Sequence, residues 1–169
     1  MRLFTAVVPP VEVRADLQEV APVAGLRATD PAGWHVTLAF LGEADPETLR
    51  DGLARVAAGH PPLDLALSGA GSFGNRVLWA GLSGDLDGLA ALAGAVAEVA
   101  RAAGLTLDDR PYGPHLTLGF AAPPRPLDAE VAALRDHRGP GWRARTLHLV
   151  RSDLGPRYSG VATWPLTGP

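Results

Sequence analysis

The chain has 169 residues, 47% of them apolar, which suits a single domain of generous size with a packed core. It contains no cysteine, which excludes disulfides, thiolate catalysis and cysteine-ligated zinc. Its formal net charge of −3 excludes a generally basic nucleic-acid binder. All fifteen basic residues are arginine, whose planar guanidinium can hold phosphate through two hydrogen bonds wherever one lines a site.

The N-terminus, from Met1 to Thr5, runs straight into a strand-like stretch and does not resemble a signal peptide. No apolar run approaches the roughly 20 residues that a membrane-spanning helix needs. We therefore expect a cytoplasmic protein that makes no use of a membrane, and a monomer as the default state.

The first part of the chain is expected to form a strand (residues 2–8), a helix (11–21) and, after a loop rich in Gly and Pro, a second strand (34–41, WHVTLAFL). This second strand alternates clearly between apolar and polar side chains, so its two faces differ. One face is predicted to carry Val36, Leu38 and Phe40 and to pack against helices, and the other to carry His35, Thr37 and Ala39.

The rest of the chain is expected to alternate helices with strands. A second strand of alternating character, residues 115–120 (HLTLGF), is predicted to turn Leu116, Leu118 and Phe120 inward. The other predicted elements are helices beginning at Asp45, over 86–103 and over 127–137, and strands over 63–67, 76–82, 105–107, 143–152 and 159–166.

The two alternating strands belong to an internal repeat. Each reads His-x-Thr-Leu-x-Phe, each is followed by a Pro eleven residues after the His, and each leads into an amphipathic stretch. The copies lie 80 residues apart, close to half the chain. A duplicated unit usually packs about a pseudo-two-fold axis, which would bring both strands to one groove. The pleat places His and Thr on the same face, so four polar side chains would meet there.

Two imidazoles and two hydroxyls facing one another suit acid–base chemistry on a phosphate. Near neutral pH, one imidazole can accept a proton while the other donates one. The hydroxyls can hydrogen-bond non-bridging phosphate oxygens, and water can serve as nucleophile. Zinc is the rival interpretation, but it needs a third ligand, and the sequence has no His-x-x-x-His or His-x-Glu pattern. We expect neither a metal nor a cofactor.

The chain resembles the 2H phosphoesterase superfamily, and within it the bacterial and archaeal RNA 2′,3′-cyclic phosphodiesterases, formerly named 2′-5′ RNA ligases. The two His-x-Thr-Leu motifs are the most specific part of this likeness. Matching segments extend from end to end: residues 2–4, 34–43, 73–79, 114–118, 149–158 and 164–166.

The resemblance implies an α+β, bilobal, duplicated fold in which two antiparallel β-sheets form a central groove and helices pack outside. It implies one domain over residues 1–169 that hydrolyses a terminal RNA 2′,3′-cyclic phosphate to a 2′-phosphate without metal, with weak 2′-5′ ligation as the reverse reaction. By the family pattern, His35 donates a proton to the leaving 3′ oxygen, His115 accepts one from water, and Thr37 and Thr117 bind the phosphate.

One position departs from the family pattern. Many relatives carry an arginine where this chain has Phe120, and strand alternation predicts that Phe120 points to the core. Another residue would then have to make any phosphate contact of that arginine. Phe73 and Tyr112 are candidates for stacking on a base. The candidate arginines are Arg76, Arg110, Arg151 and Arg157.

Two other functions stay open at this stage. The first is a 2H phosphodiesterase acting on a small nucleotide, such as ADP-ribose cyclic phosphate or a 2′-5′ oligoadenylate. The second is a nucleotide- or RNA-binding module without catalysis, against which the presence of both intact motifs argues.

Overall fold

A computed structural model describes residues 1–153 and 157–169. These residues form two antiparallel β-sheets together with several helices. The helices are α1 (Val11–Val20), α2 (Arg50–Ala58), α3 (Leu86–Ala102) and α4 (Asp128–Leu134). The strands are β1 (Arg2–Val7), β2 (Arg27–Ala28), β3 (Val36–Glu43), β4 (Leu63–Phe73), β5 (Val77–Gly84), β6 (Leu116–Phe120), β7 (Trp142–Ala144), β8 (Thr146–Ser152) and β9 (Tyr158–Pro165).

Each sheet contains one of the two motif strands. The first sheet has the order β3-β1-β8-β9, with the first motif strand at its edge, and the second has the order β2-β6-β5-β4-β7. All pairings are antiparallel. The predicted α+β architecture with two antiparallel sheets is therefore confirmed.

The apolar faces of both motif strands belong to one hydrophobic core. Val36 and Leu38 of β3 and Leu116 and Leu118 of β6 are almost fully buried in it. Helix α3 packs against β3 and contributes buried side chains such as Val96. Because these apolar side chains are buried, the alternate side chains of each motif strand are left to face the other way.

The two motif strands each carry a β-bulge, and the bulges occupy corresponding positions. The pairing of β3 with β1 shifts by one residue at Leu38, and the pairing of β6 with β5 shifts by one at Leu118. A second shift in the β3–β1 pairing, at Leu41, has no counterpart in the β6–β5 pairing. An inserted residue reverses the side to which the following residues point. Phe40 is consequently 71% exposed and Phe120 43% exposed. The prediction that Phe40 and Phe120 face the core was wrong, because simple alternation does not include a bulge.

Other predicted elements differ in extent. The long strand predicted over 143–152 is two strands, β7 and β8, which lie in different sheets. The strand predicted over 105–107 is an irregular connection, although its leucines pack against the core. The helix predicted from Asp45 starts as a 3-10 turn (Pro46–Thr48), and α2 follows it. Within the described residues, no helix is both long enough and apolar enough to cross a membrane.

Candidate active site

Both motif histidines lie immediately before their strands and are held in the same way. The Nδ1 of His35 is 2.8 Å from the carbonyl oxygen of Gly33, and the Nδ1 of His115 is 2.8 Å from that of Gly113. A carbonyl oxygen can only accept a hydrogen bond, so each Nδ1 must carry the proton of that bond. This fixes the tautomer of a neutral ring and leaves Nε2 as the nitrogen available for proton transfer.

A groove of about 1150 Å³ brings the two motifs together. All four predicted motif side chains, His35, Thr37, His115 and Thr117, line it. Strands of the first sheet supply most of the other groove-lining residues, whereas β6 supplies Thr117 and Phe120. The two motifs thus meet in one groove, as the repeat predicts, but the first sheet supplies more of the groove lining than the second.

Aromatic rings enclose both imidazoles. The ring of His35 lies 4.7 Å from that of Phe4 and 5.1 Å, edge-on, from that of Tyr158, measured between ring centroids. The ring of His115 lies 5.0 Å from Phe73, also edge-on, and 5.9 Å from Trp79. Together with the bonds to Gly33 and Gly113, these contacts restrict the orientation of both rings.

The surroundings of His35 disfavour its charged form. Burial lowers the pKa of His35 below its ordinary value of 6.5, and the positive charge of a protonated His115 lowers it further. The hydrogen bond to the Gly33 carbonyl opposes both effects by favouring the protonated ring. The balance of these effects lowers the pKa of His35.

The predicted arginines have different placements. Arg151 and Arg157 line the groove, and the Nε of Arg151 is 2.8 Å from a carboxylate oxygen of Asp153. In the part of the chain that the structure describes, Arg76 and Arg110 are not among the residues lining the groove. Arg110 pairs with Asp108 in an exposed turn, which lowers the pKa of that carboxyl.

The two predicted aromatic candidates also differ. Phe73 is 47% exposed and its ring lies beside that of His115, but among the described residues it is not part of the groove lining. Tyr112 packs against the hydrophobic core, and its hydroxyl donates a hydrogen bond to the main-chain carbonyl of Thr37 over 2.8 Å. Within the described residues, Tyr112 is not part of the groove lining.

Sequence reasoning missed several groove residues. Phe4 and Tyr158 contact His35 from β1 and β9, strands that are remote in sequence and become neighbours only through the order of the first sheet. Phe40 and Phe120 reach the groove only through the bulges. The one available signal was the repeated Phe five residues after each motif His, which the alternation rule assigned to the core.

Within residues 1–153 and 157–169, no group of three or more His, Asp or Glu side chains is placed to hold a metal ion. Metal independence stays a prediction, to be tested by chelation.

Two His-Thr pairs, presented by duplicated strands of two antiparallel sheets to one groove, define a 2H phosphoesterase. The chain belongs to the 2′-5′ RNA ligase superfamily, whose family model matches residues 9–156.

Relatives named RNA 2′,3′-cyclic phosphodiesterase match nearly the whole chain. The protein of Thermus thermophilus is 35% identical over 99% of this chain and 91% of its own length. The protein of Escherichia coli is 34% identical, over 98% of this chain and 97% of its own length. The protein of Archaeoglobus fulgidus is 31% identical, over 93% and 94% respectively.

Solved structures share the fold. A Thermus thermophilus crystal structure superposes with a TM-score of 0.79 at 33% identity and covers 99% of both chains. The structure of Escherichia coli LigT complexed with 3′-AMP gives a TM-score of 0.77 at 27% identity and covers 98% of both chains. LigT has also been solved complexed with NADP+, at a TM-score of 0.77 and 28% identity, covering 98% of this chain and 97% of LigT.

Proposed function

We propose that this protein hydrolyses the 2′,3′-cyclic phosphate at the end of an RNA to a 2′-phosphomonoester by two-histidine acid–base catalysis. The observation that carries the proposal is the presence of two His-Thr pairs in one groove, each His with Nδ1 bonded to a glycine carbonyl. The names of the relatives from Thermus, Escherichia and Archaeoglobus support the choice of substrate.

In the proposed reaction, Nε2 of His115 takes a proton from a water molecule as the water oxygen attacks phosphorus. A new P–O bond forms, the bond from phosphorus to the 3′ oxygen breaks, and Nε2 of His35 gives its proton to that oxygen. The phosphate stays on the 2′ oxygen. The two rings return to their starting protonation by exchange with solvent. If an RNA 5′-hydroxyl replaces water as the nucleophile, the same steps form a bond from its oxygen to phosphorus and release the 3′ oxygen, which gives a weak 2′-5′ ligation.

The donor assignment of His35 depends on the substrate. In the free protein, burial lowers the pKa of His35 and favours its neutral form. A bound cyclic phosphate brings a negative charge into the groove, which favours the protonated ring and raises the pKa of His35. In this proposal, His35 becomes protonated, and so able to donate a proton, when the substrate binds.

The hydroxyls of Thr37 and Thr117 serve in the proposal as donors to the non-bridging oxygens of the phosphate. They lie one on each motif strand, so the phosphate is held from both sheets. Arg151 and Arg157 line the groove and supply positive charge for the substrate. Phe73 beside His115 is our candidate for contact with a base.

We propose that residues 1–169 act as one catalytic domain, because each sheet supplies only one of the two motifs. A monomer suffices for this site, since one chain supplies both histidines, and light scattering would test that state. A cytoplasmic location is proposed because RNA ends of this kind would be its substrate.

A small nucleotide is the second candidate substrate. Structures of Escherichia coli LigT complexed with 3′-AMP and with NADP+ support a groove that accepts free nucleotides in this family. Comparing kcat/KM for a cyclic-phosphate RNA with that for an ADP-ribose cyclic phosphate and a 2′-5′ oligoadenylate would decide between the substrates.

The decisive experiment incubates protein treated with EDTA with an RNA that ends in a 2′,3′-cyclic phosphate and identifies the product. We expect a 2′-phosphate, formed at the same rate with and without EDTA. Because the mechanism breaks the bond to the 3′ oxygen, a 3′-phosphate would contradict it. A requirement for added divalent metal would contradict it equally.

A further inference from the structure

The segment leading into the second motif makes a hydrogen bond to the first motif strand. Tyr112 lies just before His115, and its hydroxyl donates to the carbonyl of Thr37 over 2.8 Å. Burial raises the pKa of the Tyr112 hydroxyl, so it remains a neutral donor at ordinary pH. The accepting carbonyl belongs to a groove-lining residue, so this bond restrains the backbone that carries the Thr37 hydroxyl.

The segment leading into the first motif makes the corresponding contact with the second motif strand. The indole Nε1 of Trp34 donates to the hydroxyl of Thr29 over 2.8 Å. Because that hydroxyl accepts one bond, its own hydrogen is free to point to the carbonyls of Thr117 and Leu118, at 2.9 and 3.0 Å. The main-chain N–H of Thr29 also donates to the Leu118 carbonyl, over 2.9 Å.

The accepting carbonyls lie at the two bulges. A bulge disrupts the ladder, so backbone groups next to it need partners from elsewhere. Thr37 precedes the bulged residue Leu38, and Thr117 precedes the bulged residue Leu118. Tyr112 and Thr29 supply hydrogen bonds at those places, one in each sheet, so the contacts follow the same pseudo-symmetry as the motifs.

We propose that Tyr112, Trp34 and Thr29 are positioning residues that hold the two motif strands at the separation at which both histidines and both threonines reach one phosphate. Each motif strand is thus held by hydrogen bonds from the segment that leads into the other motif. We call these two sets of hydrogen bonds the braces: one runs from Tyr112 to Thr37, and the other from Trp34 through Thr29 to the second motif strand. The inference rests on the proposed function, since the groups being positioned are those assigned to the phosphate. A misplacement of about 1 Å at such a site can cost on the order of 10²-fold in rate.

Because the two braces restrain the strands independently, the losses of kcat in the single and double variants should follow a defined pattern. Tyr112→Phe removes one brace and leaves the ring, and Thr29→Val removes the other. Each should lower kcat by roughly 10-fold with little change in KM, because the second brace still restrains the strands. The double variant should lose more than the product of the two single losses.

The experiment includes a rescue and a matched control. Thr29→Ser keeps the hydroxyl and should retain wild-type kcat. Thr48→Val removes another threonine hydroxyl that donates to a carbonyl, that of Asp45 at 2.7 Å, in an exposed turn away from the groove. It should leave kcat and KM unchanged. Thermal unfolding of every variant shows whether assays are run on folded protein.

Near wild-type kcat in folded Tyr112→Phe and in the double variant would overturn the proposal. So would an equal loss in Thr29→Ser and Thr29→Val, since the hydroxyl would then not be the group that matters. If Thr29→Val does not fold, Tyr112→Phe still decides, because its ring and packing are retained.

A second measurement separates the braces from the proposed function. Inorganic phosphate is titrated into protein with ¹⁵N-labelled histidine, and the Nε2 signals of His35 and His115 are followed. In the wild type both rings should respond with one apparent affinity, and in the double variant the responses should separate or weaken. Identical responses would overturn the braces. If the wild-type protein fails to open a cyclic phosphate, the proposed function is wrong. The phosphate titration then still tests the positioning role of Tyr112 and Thr29, because it does not depend on catalysis.

Discussion

His35 and His115 share a motif and the same bond to a glycine carbonyl, but their surroundings differ. The Nδ1 bond of His35 is partly buried, whereas that of His115 is exposed. His35 lies against Phe4 and Tyr158 of the first sheet, which also supplies most of the groove. A duplicated motif can therefore provide two histidines in unlike surroundings. The first sheet supplies more of the groove lining, and the hydrogen bond that holds the imidazole beside the second sheet is exposed.

The largest expected effect comes from removing either imidazole. His35→Ala and His115→Ala should each reduce kcat by roughly 10²–10⁴-fold, the range for a general acid or base. His60→Ala is the matched control, because the Nδ1 of His60 also lies 2.7 Å from a main-chain carbonyl, that of Val56, but outside the groove. Rates of cyclic-phosphate opening check this, and a folded variant with near wild-type turnover would make the paired-histidine mechanism wrong.

Removing a motif hydroxyl should have the next largest effect. Thr37→Val and Thr117→Val should each lower kcat on the order of 10²-fold, the usual loss for one preorganised donor to a developing charge. Thr37→Ser and Thr117→Ser keep the hydroxyl and should recover most of the rate. Equal losses in the Val and Ser variants would show that side-chain shape, and not a hydrogen bond to phosphate, is what matters at these positions.

The third prediction concerns the protonation of His35. Burial and a charged neighbour both disfavour its protonated form, so in the free protein it should titrate below pH 6.5. Saturating inorganic phosphate adds negative charge and should move that titration to higher pH. Histidine ring signals in NMR measure both values. A titration of His35 at or above 6.5 in the free protein, or no upward movement with phosphate, would contradict the proposed control of its protonation by burial and charge.

The smallest effect should come from Phe120→Arg, which places a cation on the second-sheet side of the groove. We expect a lower KM at low salt, with the slope of log affinity against log salt steeper by about 0.7 for one added phosphate contact. Val20→Arg adds the same charge at an exposed position on α1 and should not change the slope. If the two variants gave the same salt dependence, Phe120 would not face the bound substrate.

The motif histidines and threonines could be predicted because their evidence is local. The repeated His-x-Thr-Leu motif in an alternating strand can be recognised without knowing which distant residues contact it, and the structure places all four side chains in one groove. The fold class followed from the same repeat and its family likeness.

The rest depends on contacts that sequence patterns do not contain. Phe40 and Phe120 were misplaced because a bulge is set by pairing with a neighbouring strand. Tyr112 was chosen for its ring, but its hydroxyl finds a partner 75 residues away. Arg76 and Arg110 were chosen by type alone, and charge type does not specify which side of a sheet or turn a residue occupies.

The strand order of the first sheet has a consequence for synthesis on the ribosome. β1 is synthesised before β8, one of its two neighbours in the sheet, and β2 to β7 lie between them in the sequence. One edge of β1 therefore keeps its backbone N–H and C=O groups unpaired until residues 146–152 have been synthesised. Such long-range pairing slows folding and leaves the nascent chain open to aggregation. The groove should consequently be complete only after residues 146–152 have been synthesised, however early the first histidine is made.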